Sequence, residues 1–197
     1  MRTFIAVEPP GSFREEIGRL TSQHFESQLP GFRWVKPENI HLTLRFLGEI
    51  DPAGLDSLTQ AVSVAAAKFA PFELTVESLG FFGSQKRPRV VWLGLSASRQ
   101  LSALAEEVES AVAGAGFGRA DKPFKAHLTL ARMKRPPARP PDWERIRNVL
   151  PSSWPEWKVT RVEIIKSMLT PSGPIYETLA CCPLEGEAGE ITVEGGE

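Results

Sequence analysis

The segment His-Leu-Thr-Leu occurs twice in this chain of 197 residues, at 41–44 and again at 127–130. Polar and apolar residues alternate within each copy, which is typical of a half-buried β-strand. Two of the chain's three histidines lie in these copies. Repetition of such a segment indicates a duplicated unit, so the fold must place two equivalent strands in equivalent surroundings.

Strand geometry gives the repeat its chemistry, because side chains two positions apart share one face of a strand. His41 therefore shares a face with Thr43, and His127 shares a face with Thr129, while the leucines point into the core. Two such strands side by side would bring two imidazoles and two hydroxyls into one cleft. One imidazole can act as a base and the other as an acid near neutral pH, and the hydroxyls can donate to phosphate oxygens. The symmetry of the repeat leaves open which histidine takes which role.

Other uses of two histidines fit the sequence less well. A zinc site needs a third ligand, and neither strand offers one at His-x-His spacing. Adjacent Cys181 and Cys182 do not form a C-x-x-C pattern, and neither a G-x-S-x-G elbow nor a P-loop occurs. The plain alternative is structural, with both histidines capping strands and bonded to the backbone. We therefore expect neither a metal nor a cofactor.

Charge is distributed unevenly along the chain. The totals of 23 basic and 24 acidic residues give a net charge of −1, but residues 185–197 hold five glutamates and no basic residue. Without that segment the chain carries +4. Residues 119–139 contain seven basic residues and one acidic residue. This stretch is compatible with a phosphate-bearing partner, and a solvated loop is the plainer interpretation.

The sequence also predicts the compartment. No apolar run approaches the ~18 residues that span a bilayer, and Glu8 interrupts a short apolar N-terminus. We therefore expect no membrane segment and no signal peptide. A disulfide between the adjacent residues Cys181 and Cys182 would be strained. A reducing, cytoplasmic location is the resulting prediction.

Helical and strand patterns alternate along the chain. Helical spacing of apolar residues is found at 13–24, 55–69 and 101–112, and strand patterns at 3–7, 40–46, 72–76, 90–93, 127–132, 158–169 and 175–182. Several strands are joined by links too short for a parallel crossover, which favours antiparallel pairing. We predict an α+β fold with one domain over residues 1–184. The acidic residues 185–197 are predicted to form a disordered tail.

The residues around both copies of the repeat resemble a known family. Residues 34–48, Trp-Val-Lys-Pro-Glu-Asn-Ile-His-Leu-Thr-Leu-Arg-Phe-Leu-Gly, are similar to the first signature of the 2H phosphoesterases, in particular the bacterial and archaeal RNA 2′,3′-cyclic phosphodiesterases, also called 2′-5′ RNA ligases. Residues 127–132, His-Leu-Thr-Leu-Ala-Arg, resemble the second signature. The strand at 88–92 and the segment 167–176 also resemble that family, and the likeness covers about residues 1–184.

This resemblance implies a bilobal fold with pseudo-twofold symmetry, in which antiparallel sheets line a central cleft and helices lie outside. It implies metal-independent hydrolysis of 2′,3′-cyclic phosphates to 2′-phosphates, on RNA ends or on nucleoside 2′,3′-cyclic phosphates. By family analogy, His127 activates the attacking water and His41 protonates the departing 3′-oxygen. The phosphate is expected to bind Thr43, Thr129 and Arg132.

Strand parity bears on two arginines near the repeat. Arg132 follows His127 by five residues, so in a regular strand it points to the opposite face. It reaches the cleft only if the strand ends or bulges near Ala131. Arg45 has the parity to share the face of His41, where it is a candidate for substrate binding, with a plain strand-edge charge as the alternative.

Further side chains are candidates for contacts with RNA. Aromatic rings at the rim of a cleft can stack on nucleobases, and packing in the core or in a loop is their other use. The aromatic candidates are Trp34, Phe81, Phe82 and Phe124. Lys122 and Lys125 are candidates for guiding an RNA backbone, with solvated charge as the alternative.

Three functions stay open at this point. The leading hypothesis is an enzyme, acting as a monomer, that opens 2′,3′-cyclic phosphates at RNA ends. The same acid and base can run the reverse reaction, so 2′-5′ ligation of tRNA halves is an alternative, favoured only where RNA is held at high effective molarity. The basic stretch motivates a third hypothesis, a non-catalytic module that binds RNA ends or nucleotides.

Overall fold

An eight-stranded antiparallel sheet organises the fold. The computed structural model describes residues 1–96, 99–137 and 139–187. The strands are β1 (Arg2–Val7), β2 (Phe32–Trp34), β3 (Leu42–Glu49), β4 (Phe72–Leu74), β5 (Val76–Ser84), β6 (Arg87–Leu95), β7 (His127–Met133), β8 (Trp157–Val159), β9 (Arg161–Thr170) and β10 (Gly173–Pro183). The helices are α1 (Gly11–Leu20), α2 (Glu26–Gln28), α3 (Leu55–Ala66), α4 (Arg99–Val112) and α5 (Trp143–Arg147).

The large sheet consists of two halves that meet at a single residue pair. Its order is β10-β9-β1-β3-β7-β6-β5, and β2 adds to β7. The central strands β3 and β7 pair only through Leu42 and Leu128, the second residues of the two repeats. All pairings in this sheet are antiparallel, while β4 and β8 form a separate two-stranded sheet. The structure thus confirms the α+β fold with antiparallel strands, and the two halves diverge from the point where the repeats touch.

The duplication extends to the backbone pairing. Ala6 of β1 pairs with Thr43, and Trp92 of β6 pairs with Thr129, so both partners lie 86 residues further along in the second copy. In each copy the next pair skips one residue of the repeat strand, Leu44 in β3 and Leu130 in β7. A one-residue bulge therefore occurs at the same place in both repeats.

Helices cover the face of the sheet that carries the leucines of the repeats. Helix α3 packs against α4 and against β9 and β10, while α4 contacts β3. Each helix buries one apolar stripe, as the spacing predicted. The buried residues of α3 are Leu58, Val62, Ala65 and Ala66, and those of α4 are Leu101, Leu104, Ala105, Val108 and Val112. These helices leave the opposite face, which carries the histidines and threonines, free to form a cleft.

The structure differs from the sequence patterns at four places. The pattern at 72–76 is split, because β4 pairs with β8 whereas β5 pairs with β6. The strand predicted at 90–93 begins earlier, at Arg87, after a tight hairpin in which Ser84 pairs with Arg87. Strand β2 has only three residues and no pattern of its own, and it forms because β7 offers it an edge. The helical spacing at 13–24 ends on His24, but the π-helical turn Thr21–Phe25 makes Phe25, five positions after Leu20, the next buried residue.

Backbone hydrogen bonds extend to Gly186, two residues past the predicted domain boundary. The Leu184 N–H donates to the Thr160 carbonyl, and the Gly186 N–H donates to the Phe69 carbonyl at 3.0 Å. Of the predicted tail, residues 188–197 lie outside the described residues. Among the described residues, no helix is both long and apolar enough to cross a membrane. The domain bounds and the cytoplasmic location stay predictions.

The Trp92 ring packs closely over Gly80 and leaves no room for a side chain there. A methyl group added at Gly80 would overlap the Trp92 ring, whereas one at Gly114, in a helical turn, would meet nothing within 4 Å. We expect Gly80→Ala to lower the free energy of unfolding by about 1–3 kcal/mol. Gly114→Ala should be neutral or stabilising, because alanine is the better helix former. Urea denaturation of both variants measures this, and equal stabilities would show that Trp92 does not lie over Gly80.

Candidate active site

Both histidines are held in the same way by the backbone. His41 directly precedes β3 and His127 is the first residue of β7. The Nδ1–H of His41 donates to the Asn39 carbonyl at 2.8 Å, and that of His127 donates to the Lys125 carbonyl at 2.8 Å. A carbonyl can only accept, so both rings carry their proton on Nδ1 when neutral. Each Nε2 is then the acceptor that faces the chemistry.

Aromatic rings fix both imidazoles on their flanks. The His41 ring lies 4.6 Å from Phe4 and 5.2 Å, edge-on, from Tyr176, measured between ring centroids. The His127 ring lies 5.2 Å from Phe82 and 6.2 Å from Trp92, both edge-on. The rings leave little rotational freedom and reduce the water around each imidazole. Burial of this kind favours the uncharged form of a base.

The pKa values of both histidines follow from this setting. The pKa of His41 is lowered from 6.5 to about 4, mainly by burial; the hydrogen bond to Asn39 raises it, and the positive charges of Arg132 and His127 contribute to the lowering. Burial is also the main cause that lowers the pKa of His127, with Arg132 and Lys125 adding to it. Both imidazoles are therefore neutral in the empty cleft near pH 7, and an anion placed between them would favour their charged forms.

The bulges decide which neighbours of the repeats enter the cleft. The extra residue at Leu130 reverses the parity of β7, so Ala131 is buried in the core and Arg132 lines the cleft. This is the irregularity that Arg132 requires. The parity expected for Arg45 is wrong for the same reason, because Leu44 forms the matching bulge in β3.

Arg45 is instead buried away from the cleft. It is only 7% exposed, its Nε lies 3.1 Å from Glu109 of α4, and its Nη2 donates to the Gly118 carbonyl at 3.1 Å. These contacts tie α4 to the sheet, so Arg45 has a structural partner and is not available to substrate.

A cleft of about 660 Å³ holds the two histidines together with the expected phosphate ligands. Thr43, Thr129 and Arg132 all line it. The antiparallel register about Leu42 and Leu128 sets each histidine next to the other repeat's threonine. Further lining residues were not singled out from the sequence, and several of them come from elements distant in the chain. They include Arg2, Arg33, Lys36, Asn39, Phe46 and Tyr176.

The remaining candidates fall into two groups. Trp34 lines the cleft, with its ring stacked at 5.7 Å on Phe25 of the core. Lys122 and Lys125 are exposed and, in the described part of the chain, lie outside the residues that line the cleft. The Lys125 Nζ lies 5.9 Å from the centroid of the Phe82 ring, which contacts the His127 ring edge-on.

Two hydrogen bonds close the cleft on the His41 side. Arg33 donates from Nη2 to the Ser172 carbonyl at 2.6 Å, and Asn39 donates from Nδ2 to the Pro174 carbonyl at 3.0 Å. These bonds hold the turn between β9 and β10 against the segment that precedes His41. The lining residues accordingly come from β1, β2, β3, β7, β9, β10 and residues 35–41. Among the described residues that line the cleft, none belongs to β5 or β6, the strands that place Phe82 and Trp92 against His127.

The arrangement can bind a phosphate group and move protons at two opposite points. Two hydroxyls and one guanidinium are donors suited to phosphate oxygens. The cleft's further cations, Arg2, Arg33 and Lys36, favour a polyanionic ligand, and no carboxylate lies among the described lining residues. Across the described ranges, no group of three or more His, Cys, Asp or Glu side chains is placed to hold a metal ion.

Comparison with known proteins finds one family over both halves of the chain. The family model described as LigT like phosphoesterase matches residues 7–92 and again residues 93–176. These matches begin 86 residues apart, the same offset that relates the two bulged strands. Two independent matches to one model agree with a duplicated, bilobal architecture.

Similar proteins cover nearly the whole chain. An RNA 2′,3′-cyclic phosphodiesterase of Archaeoglobus fulgidus is 37% identical over 179 residues, which is 91% of this chain and 98% of that protein. One of Thermotoga maritima is 35% identical over 94% of this chain and 97% of its own length. Among solved structures, TT0787 of Thermus thermophilus has a TM-score of 0.77 and 33% identity, covering 95% of this chain and all of that one. LigT of E. coli complexed with 3′-AMP has a TM-score of 0.75 and 29% identity, covering 93% and 97%.

The charges near the histidines predict a pattern of pKa changes. Arg132 lowers the pKa of both histidines, whereas Lys125 lowers only that of His127. We expect Arg132→Met to raise both pKa values and Lys125→Met to raise that of His127 alone, because removing a positive charge favours the imidazolium. Burial, the larger cause, stays in both variants, so the pKa of His41 should remain below 6.5. Imidazole NMR titration measures this, and equal responses of the two histidines to both variants would contradict it.

Proposed function

The chain belongs to the LigT-like phosphoesterase family, and from that premise we propose that it hydrolyses 2′,3′-cyclic phosphates at RNA ends to 2′-phosphates. The substrate is taken from the names of the relatives, which are called RNA 2′,3′-cyclic phosphodiesterases. One observation carries the proposal: two imidazoles share a cleft with two hydroxyls and a guanidinium, and each presents Nε2 for proton transfer.

The proposed reaction is an in-line displacement at phosphorus. His127 accepts a proton from water through Nε2 while the water oxygen attacks, and His41 donates a proton to the departing 3′-oxygen. A new P–O bond forms, the P–O3′ bond breaks, and the phosphate stays on the 2′-oxygen. The threonine hydroxyls and Arg132 stabilise the charge on the non-bridging oxygens. The two imidazoles supply the acid and the base, so the proposed reaction uses no metal.

The unequal flanks of the two histidines support this division of roles. In an in-line displacement, the nucleophile and the leaving oxygen lie on opposite sides of phosphorus. The leaving oxygen remains attached to the nucleoside, which needs room, and the cleft extends on the His41 side under the closed β9–β10 turn. Water reaches His127 more easily, because His127 is less buried than His41. His41 is therefore the acid and His127 the base in this proposal.

An acid role for His41 requires the substrate to change its pKa. With a pKa of about 4 in the empty cleft, its protonated form is scarce at neutral pH. A phosphate anion beside the ring stabilises the imidazolium and opposes the effect of burial. In this proposal, substrate binding favours protonation of His41, whereas both histidines are neutral in the free enzyme.

Product analysis with histidine variants tests the proposal. Incubation with adenosine 2′,3′-cyclic phosphate in the presence of EDTA should yield 2′-AMP without 3′-AMP, as read by ³¹P NMR. His41→Ala and His127→Ala should each lower kcat by about 10²–10⁴-fold or more, because each removes a proton-transfer group.

His24→Ala is the matched control, since His24 lies on a helical turn apart from the cleft residues. It should retain wild-type kcat, and circular dichroism should show all three variants folded. Full activity of either cleft variant, or a mixture of 2′- and 3′-phosphates, would refute the proposed mechanism.

Anion binding should be coupled to proton uptake. We expect inorganic phosphate or 2′-AMP to raise the pKa of both histidines, so the protein takes up protons on binding between about pH 5 and 7. Calorimetry in two buffers of different ionisation enthalpy measures the number of protons. His41→Gln should reduce the uptake, and a wild-type protein that binds the anion with no proton uptake would contradict the pKa scheme.

A further inference from the structure

Phe46 is a large apolar side chain that the cleft leaves exposed. It lines the cleft and is 48% exposed, although apolar rings on strands normally face the core. The bulge at Leu44 turns it there. Packing within the protein covers only part of the Phe46 ring, so the exposed part is available to a ligand.

Phe46 and Arg132 occupy equivalent positions in the two repeats. They lie 86 residues apart, and each follows the bulge residue of its repeat by two positions. Both therefore enter the cleft for the same backbone reason. One position carries a cation that suits phosphate, and the other carries an aromatic face that does not. The two halves of the site thus differ at this position. The difference matches a nucleotide, which has a phosphate at one end and a base at the other.

The surroundings of Phe46 connect it with the reaction centre. Its ring is stacked against Phe4 at 6.5 Å with an interplanar angle of 15°, and Phe4 lies 4.6 Å from the His41 ring. The guanidinium carbon of Arg2 lies 4.8 Å from the centroid of the Phe46 ring. A row of flat groups therefore leads from His41, the histidine assigned to the leaving oxygen, to Arg2. Both aromatic rings and guanidinium planes stack on nucleobases.

We propose that Phe46, together with Arg2, is the platform on which the nucleobase beside the cyclic phosphate stacks. This assignment rests on the proposed function, because it takes the substrate to be a nucleoside 2′,3′-cyclic phosphate or the end of an RNA chain. Trp34 is the other aromatic side chain considered for the base. Each ring stacks on one ring of the core, but Trp34 is half-buried, whereas Phe46 is exposed and lies beside the Arg2 guanidinium.

A comparison of substrates with and without a base tests the platform. The measured quantity is the ratio of kcat/KM for adenosine 2′,3′-cyclic phosphate to kcat/KM for methyl riboside 2′,3′-cyclic phosphate, which lacks the base. Phe46→Leu should lower this ratio about 5- to 150-fold, because leucine fills space but offers no aromatic face. Phe46→Trp should restore it.

Two controls make the result decisive. Val64→Ala changes an exposed apolar residue on α3 and should leave the ratio at its wild-type value. Trp34→Leu tests the rival ring. An unchanged ratio in Phe46→Leu, or a fall confined to Trp34→Leu, would overturn the assignment.

Failure of the platform can be told apart from failure of the proposed function. If the wild-type protein hydrolyses neither compound, the proposed function fails, and the platform is then judged by binding alone. In that case the ratio of the Kd for inorganic phosphate to the Kd for 3′-AMP is measured by calorimetry. Phe46→Leu should lower this ratio about 5- to 150-fold, and an unchanged ratio would refute the platform.

Discussion

A one-residue bulge in each repeat strand is the constraint on which the cleft depends. Without it, the residue two positions after each motif threonine would share its face, and Arg45 would enter the cleft while Arg132 would not. With it, Ala131 and Arg45 are buried and Arg132 and Phe46 reach the cleft. Each bulge therefore directs one residue into the core and the next residue into the cleft.

The two halves share a backbone plan but differ in what covers it. In both, a histidine donates from Nδ1 to the carbonyl two residues before it, which leaves Nε2 for proton transfer. Beside His41, Arg33 and Asn39 hold the β9–β10 turn against the segment before that histidine, whereas His127 is the less buried of the two. Two chemically identical histidines therefore have different surroundings. A displacement at phosphorus needs such a difference, because one oxygen enters on one side as another leaves on the opposite side.

Burial of the imidazoles links ligand binding to proton transfer. The rings around His41 and His127 disfavour the charged forms, so the empty cleft holds neutral bases. A bound phosphate anion reverses that preference in the same low-dielectric setting, where a charge interaction is stronger than in water. The site is consequently neutral at rest and becomes ionised with its ligand, which couples proton transfer to binding.

The sequence by itself determined the repeat, the face shared by each histidine and threonine, the helical stripes and the antiparallel α+β class, because these depend on local periodicity. It also tied the cleft position of Arg132 to an irregular strand. Only the tertiary structure decided where the bulges fall, that Arg45 binds Glu109, and that Phe46 and Arg2 enter the cleft. The physical reason is that a bulge and a cleft wall arise from pairing between distant strands. No pattern within one strand reports that pairing.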